Sequence, residues 1–218
     1  MQKSRIKNKG KEASRQRLEP ATRRALIEKA ATRVFAERGY EAATMQEIAR
    51  AANVVASVIY DYYQSKQALY VALLEQHGRA LIGETIHTSV DSDPRTELHS
   101  RIDAFLRAIE DDPFVWRLMF RDPPGNVEVG AVHTRVQTEA SEAIGAALTA
   151  KASSNPLRGD PSEPVATAVL AEMIKSSLNG LAAWWWEHRE IDRAVLTSVA
   201  TALLWNGLAQ FPGETASR

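Results

Sequence analysis

The chain has no cysteine among its 218 residues. Disulfides, thiolate metal sites and a cysteine nucleophile are therefore excluded, and a reducing cytoplasm is the expected setting. Long apolar runs are also missing. None approaches the ~18 residues of a membrane span, and the densest patch, Leu181 to Trp186, is far too short. The N-terminus is polar and basic where a signal peptide would need an apolar stretch. There is no glycine-rich phosphate loop, no Ser/His/Asp order in a supporting motif, and no metal spacing among His77, His87, His99, His133 and His188. The expectation is a protein without catalytic residues, metal or cofactor. A net charge is lacking too, but only as a sum. Residues 1–82 hold 15 Lys/Arg against 8 Asp/Glu, and residues 83–218 hold 12 against 19. A basic front half on an acidic rear half points to a polyanion partner for the front alone.

What is present reads as helix throughout. Residues 1–18 carry Lys3, Arg5, Lys7, Lys9, Lys11, Arg15 and Arg17 with too few apolar side chains to bury, so a disordered basic arm is expected. From Thr22 to Arg38 the positions Leu26, Ile27, Ala30, Ala31, Val34 and Phe35 recur at helical spacing, and Gly39 is expected to stop that helix. Thr44-Met45-Gln46-Glu47 has the form of a capping box and starts a short helix that fades around Ala52-Asn53-Val54. A second short helix is expected from about Val55 to Tyr62. Ser65 then caps a long one beginning at Lys66. Two short helices joined by a tight turn and flanked by longer ones form a helix-turn-helix. Further on, Asp93-Pro94 and Asp112-Pro113 each read as a cap followed by proline at the first helical position. They start helices near 94–111 and 113–121. Pro123-Pro124-Gly125 breaks the chain, a helix near 127–152 follows, residues 153–164 form a loop, and helices near 164–188 and 192–210 end at Pro212-Gly213.

The run from Thr22 to Leu74 resembles the DNA-binding region of the TetR family, the tetracycline-repressor-like regulators. The matching pieces are Phe35-Ala36-Glu37-Arg38-Gly39-Tyr40, Thr44-Met45-Gln46-Glu47-Ile48-Ala49, Ala52-Asn53-Val54 and Ile59-Tyr60-Asp61-Tyr62-Tyr63-Gln64-Ser65-Lys66. The resemblance implies an all-α protein: a three-helix helix-turn-helix domain at 19–68 and a helical ligand-binding and dimerisation domain at 69–218. It also implies Val55, Ala56 and Ser57 at the opening of a recognition helix, where the family often has a serine or threonine, a lysine and a glycine. No basic residue stands there, and the acidic Asp61 follows Tyr60. Base reading is then expected to rest on Ser57 and on apolar contacts to thymine methyls. Phosphate contacts are expected from Thr44 at a helix N-terminus, from Tyr60 and Tyr62, and from Lys66, whose place in a first helical turn suits the helix dipole poorly. Tyr63 is expected in the core. The basic arm is expected to add affinity along phosphates or in the minor groove, the alternative being a solubilising tail.

A single helix-turn-helix reads too few base pairs to be selective, so a homodimer on a palindromic double-stranded operator is expected. The resemblance assigns dimerisation to the last two long helices. On the first of them Lys175, Asn179, Ala182 and Trp186 share one side, which is expected to be the dimer face or else a pocket rim. Trp185 continues the apolar stripe Leu170, Ile174, Leu178, Leu181 and is expected in the core. Phe105, Phe114, Trp116, Met119 and Phe120 cluster around a short helix. Of these, Phe105, Trp116, Met119 and Phe120, with Trp184, are the candidates for lining an apolar effector pocket, ordinary core being the alternative. The expected function is a ligand-responsive regulator, a repressor released from its operator by a small, largely apolar molecule. An enzyme, and a helical binding protein with a decayed DNA head, are the rival readings.

Overall fold

The computed structural model describes residues 19–86, 93–120, 126–150 and 163–209. The basic arm, the Pro123-Pro124-Gly125 break, most of the 153–164 loop and Pro212-Gly213 lie outside the described residues. Within them the chain is all helix and turn: α1 (Pro20–Ala42), α2 (Met45–Ala51), α3 (Ala56–Tyr60), α4 (Lys66–Ile86), α5 (Pro94–Asp111), α6 (Pro113–Phe120), α7 (Val127–Ala150), α8 (Glu163–Glu187) and α9 (Arg193–Ala209).

Local chemistry sets most of these boundaries. Thr44 and Glu47 close the capping box from both sides: Glu47 N donates to Thr44 Oγ1 at 3.2 Å and Thr44 N donates to Glu47 Oε2 at 3.1 Å. Asp93 Oδ1 accepts from the amides of Arg95 and Thr96, and Asp112 Oδ1 from those of Phe114 and Val115. Asn126 Oδ1 does the same for Glu128 and Val129. Each cap is worth about 1 kcal/mol. Gly39 behaves differently from the expected stop. It adopts φ 79°, a left-handed conformation that glycine reaches without a Cβ clash, and the helix resumes beyond it to Ala42 after a kink. Asn53, at φ 54°, supplies the left-handed residue of the turn between α2 and α3.

Two apolar cores follow. The first joins Ile27, Ala31, Val34 and Phe35 of α1 to Ile48, Ala49 and Ile59 of α2 and α3, and to Leu69, Tyr70, Leu73 and Leu74 of α4. Leu118 and Met119 of α6 and Val129 and Val136 of α7 extend it into the body. The second joins Ile102, Phe105, Leu106 and Ile109 of α5 to Trp116, Ala182, Trp185, Leu196 and Ala200. In the body α5 packs along α9, α7 packs along α8, and α4 touches both α5 and α7. α6 lies against α1 and α5. Phe120 packs against both cores, so the short helix α6 is the point where head and body meet. α4 is continuous across 68/69 and belongs to both units.

Candidate functional site

The helix-turn-helix presents its candidate residues in two groups. Val55, Ser57 and Tyr60 are exposed on α3 and its N-cap, Val55 to 66%. The Tyr60 hydroxyl has no hydrogen-bond partner among the described residues. Ala56 is half-buried and packs on the first core, together with Val58 and Tyr62. Asp61 is exposed at the C-cap of α3.

Thr44, Tyr62 and Lys66 spend their polar atoms on partners within the chain. The Thr44 hydroxyl accepts from the Glu47 amide and also donates to Glu47 Oε2 at 3.0 Å, while Arg38 Nη1 holds Glu47 Oε1 at 2.9 Å. That hydrogen bond from Thr44 is the largest influence keeping the Glu47 carboxyl below its usual range. The Tyr62 hydroxyl donates to the Pro20 carbonyl at 3.3 Å and ties down the start of α1. Lys66 Nζ donates to three carbonyls at the end of α1: Tyr40 at 2.8 Å, Ala43 at 3.1 Å and Glu41 at 3.2 Å. It also stands 4.5 Å from the Tyr40 ring centre. An ammonium has three donors, and all three are used. The misfit with the α4 dipole is thus resolved by the C-terminus of α1, which welcomes a cation. In this structure Lys66 is a clamp between α1 and α4.

Tyr63 is buried, as expected of core. Its hydroxyl donates to Glu28 Oε1 and accepts from Arg24 Nε, and burial pushes its pKa up to about 12. Gln46 and Arg50 are exposed on one side of α2, four residues apart. They add a cation to the outer face of the motif that the apolar opening of α3 lacks. Helical spacing from Thr44 could have found them.

In the body, Phe105, Trp116 and Met119 are buried, and Phe120 stacks on Trp116 with ring centres 6.0 Å apart. Trp185 shares the second core with Phe105 and Trp116, its indole donating to the Ile191 carbonyl at 2.9 Å, whereas Met119 belongs to the first. Trp184 is not with them. It is 45% exposed and stacks on His188 at 4.1 Å, so it lines no interior cavity.

The four residues expected at the dimer face are also placed differently. Ala182 is 0% exposed within the single chain. Trp186 packs edge-on to Phe114 at 6.1 Å, with the Arg117 guanidinium 4.8 Å from its ring centre. Lys175 pairs with Glu172 at 2.8 Å and reaches the Gln137 carbonyl of α7 at 3.4 Å. Asn179 is half-buried. This side of α8 faces its own chain. What α8 leaves outside is a different stripe, Val165, Val169 and Met173 followed by Trp184. On α9 the stripe is Val195, Val199 and Leu203, the last 70% exposed. A groove of about 780 Å³ runs between α7 and α8, lined by Gln137, Ser141, Thr149, Thr167, Glu172 and Lys175 among others. Many of its lining residues are polar in type, yet most of the surface they turn to the groove is apolar. Among the described residues no helix is long and apolar enough to cross a membrane, and no cluster of His, Asp and Glu could hold a metal ion.

A helix-turn-helix carried on a helical body with an apolar interior defines a DNA-binding regulator with a ligand-binding C-terminal domain. Comparison with known proteins makes this specific. Residues 27–73 match the family model for bacterial regulatory proteins of the tetR family, and residues 85–218 match that for the tetracyclin repressor-like C-terminal domain. The HTH-type transcriptional activator FasR of Mycolicibacterium smegmatis is 30% identical over 199 residues, covering 90% of this chain and 87% of that protein. Among solved structures, a TetR-like transcriptional regulator from Rhodococcus sp. RHA1 superposes with a TM-score of 0.72 at 21% identity, over 89% of this chain and 100% of that one. The regulator FadR from Bacillus subtilis, solved in complex with stearoyl-CoA, superposes with a TM-score of 0.68 at 19% identity, over 83% and 97%. The chain belongs to the TetR family of transcription regulators.

Proposed function

We propose that the protein works as a homodimer that reads a palindromic operator and is released from it by an apolar effector carrying a long acyl chain. Residues 19–68 serve as the reading head, 69–218 as the sensing and dimerising body, and α4 as the rod joining them. The observation that carries the proposal is the pair of faces the single chain leaves uncovered: Val55, Ser57 and Tyr60 at α3 and its N-cap, and the apolar stripes of α8 and α9. Val165, Val169, Met173 and Trp184 make an exposed stripe on α8, and Val195, Val199 and Leu203 another on α9. A second copy related by two-fold symmetry covers such a stripe with its own. Val55, Ser57 and Tyr60 then face a half-site, with Ser57 and apolar contacts reading bases and the Tyr60 phenol reaching phosphate. The basic arm adds phosphate contacts.

The acyl reading is supported by the apolar character of the second core and by the stearoyl-CoA bound to the B. subtilis protein. Repression is the expected sign, whereas FasR is named an activator. Both signs follow from the same release step, because the place of the operator relative to the promoter decides what release does. The test is selection of genomic fragments on the full-length protein at physiological salt, followed by titration of the bound complex with palmitoyl-CoA. A palindrome that is released at micromolar ligand supports the proposal. Fragments without dyad symmetry overturn the dimer. A complex unaffected by ligand overturns the effector. Transcription in vitro from the selected fragment decides the sign.

A further inference from the structure

Polar side-chain atoms in a protein interior are almost always paired. Among the described residues two shielded atoms are not: Trp116 Nε1 and His133 Nε2. Trp116 is 7% exposed, so its indole N–H is a donor enclosed by Phe105, Phe120 and the rest of the second core with nothing to accept it. His133 projects from α7, and its ring hydrogen-bonds the Met119 carbonyl, which also accepts from Gln137 Nε2 at 3.1 Å. With Nε2 unpaired, Nδ1 is the ring nitrogen left to donate to that carbonyl, and the proton is assigned there. Nε2 is then a bare acceptor. Burial also holds the ring's pKa below its ordinary value, favouring this neutral form. Met119 lies three residues from Trp116 on α6, so one short helix carries both the unmet donor and the carbonyl that His133 of α7 engages.

We infer that Trp116 Nε1 and His133 Nε2 are the polar anchors of the effector's head: an acyl carbonyl oxygen accepts from Trp116, and a neighbouring N–H or O–H of the ligand donates to His133. This rests on the acyl-effector reading above and adds the group that is recognised. A pure hydrocarbon would leave both atoms orphaned. Two ligand classes share the required chemistry. One is a protonated carboxylic acid, which supplies the carbonyl and the hydroxyl together. The other is an acyl thioester whose pantetheine arm carries an amide N–H a few bonds away.

The experiment uses the full-length protein labelled with ¹⁵N at the indoles of its five tryptophans, the Trp116 resonance being assigned with Trp116→Phe. Three probes are titrated: palmitoyl-CoA, palmitic acid, and S-hexadecyl-CoA, the thioether that keeps chain and nucleotide but lacks the carbonyl. Wild type is expected to bind a carbonyl probe about tenfold more tightly than the thioether, the size of one net hydrogen bond. The Trp116 indole proton moves downfield only with the carbonyl probe. Trp116→Phe keeps the ring and removes the N–H, so it binds carbonyl and thioether alike. His133→Leu weakens whichever of palmitic acid and palmitoyl-CoA supplies the second hydrogen bond, which identifies the source. The thioether comparison on wild type needs no variant to fold. If wild type binds carbonyl and thioether probes equally, or Trp116→Phe preserves the tenfold ratio, the anchors are wrong while the acyl effector stands. If none of the probes binds wild type, the effector reading fails and the anchors fail with it.

Discussion

Replacing Lys66 by methionine separates two roles for one side chain. Methionine keeps most of the aliphatic stem and removes only the ammonium. In the structure that ammonium holds the carbonyls of Tyr40, Glu41 and Ala43 and stands over the Tyr40 ring. The bonds to Tyr40 and Ala43 are part-buried and the one to Glu41 is exposed, so water can replace only the last at little cost. Hydrogen bonds to a charged group are worth about 1.5–3 kcal/mol, but three that share one charge do not add. A net loss of about 2–3 kcal/mol follows, and at roughly 2–4 °C per kcal/mol for a chain of this size Tm should fall by about 5–10 °C. The assay is calorimetric melting at one fixed protein concentration, because association contributes to Tm. Operator affinity is then measured across a salt series well below both melting points. With the clamp role, affinity falls but the slope against log salt stays that of wild type. Tm unchanged to within a degree, with the slope reduced by about one, would instead mark a phosphate contact and refute the clamp.

Three further outcomes are expected. A Cβ on Gly78 of α4 would stand 2.6 Å from Val136 Cγ1 of α7, and valine's stiff χ1 gives it little room to yield. Gly78→Ala should therefore cost about 1–3 kcal/mol in urea unfolding, and an unchanged midpoint would mean the helices part freely there. Leu203→Arg changes a side chain that is 70% exposed in the single chain, so it should leave the monomer fold intact yet halve the mass seen by light scattering and abolish tight operator binding; a dimer that survives it moves the interface elsewhere. Burial holds His77 and His133 below their ordinary 6.5, outweighing the carboxylates of Glu28 and Asp112 that face His77. Below about pH 6.5 the unfolded chain binds more protons than the folded one, so stability is full above that pH and lost as pH falls through the window toward the depressed values. His77→Gln, which can still bond Thr32, should reduce the drop in Tm between pH 7.5 and 5.5, and a wild-type Tm flat across that range contradicts the account.

Helix starts were legible because their chemistry is local. Thr44, Ser65, Asp93 and Asp112 each announce a cap within three or four residues of chain, and each cap forms. The first core was legible for a related reason: one face of α1 and one of α4 are apolar at helical spacing, and each has only one direction to turn. Gly39 shows where local reasoning stops. A glycine after a helical run permits a left-handed residue, but whether the chain leaves the helix there depends on what lies beyond. Here Lys66, arriving from α4, collects the carbonyls that a resumed turn of helix leaves open. The same long-range partnership engages the polar atoms of Tyr62 and Lys66, and it was not legible because Pro20 and the end of α1 are distant in sequence.

The reversal of α8 has a further physical lesson. Polarity is a sound guide to the outside of a helix that buries one face in its own chain. It misleads for a helix that needs two buried faces, one within the chain and one against a partner. Along α8 Lys175 reaches the Gln137 carbonyl of α7 and pairs with Glu172 of its own helix, and Asn179 is half-buried. The fully apolar positions 165, 169 and 173 are left outside. A lone chain gains nothing from that choice, because water meets valine and methionine while an ammonium is largely shielded. It becomes favourable only if a second surface covers the outer stripe, each fully covered Val or Met contributing about 1.5–3 kcal/mol. The apolar exterior is therefore an argument for association that the fold itself makes. It also explains why α9, whose Val195, Val199 and Leu203 repeat every four residues, exposes the same kind of stripe. Association through both helices would then hold the two reading heads at one spacing.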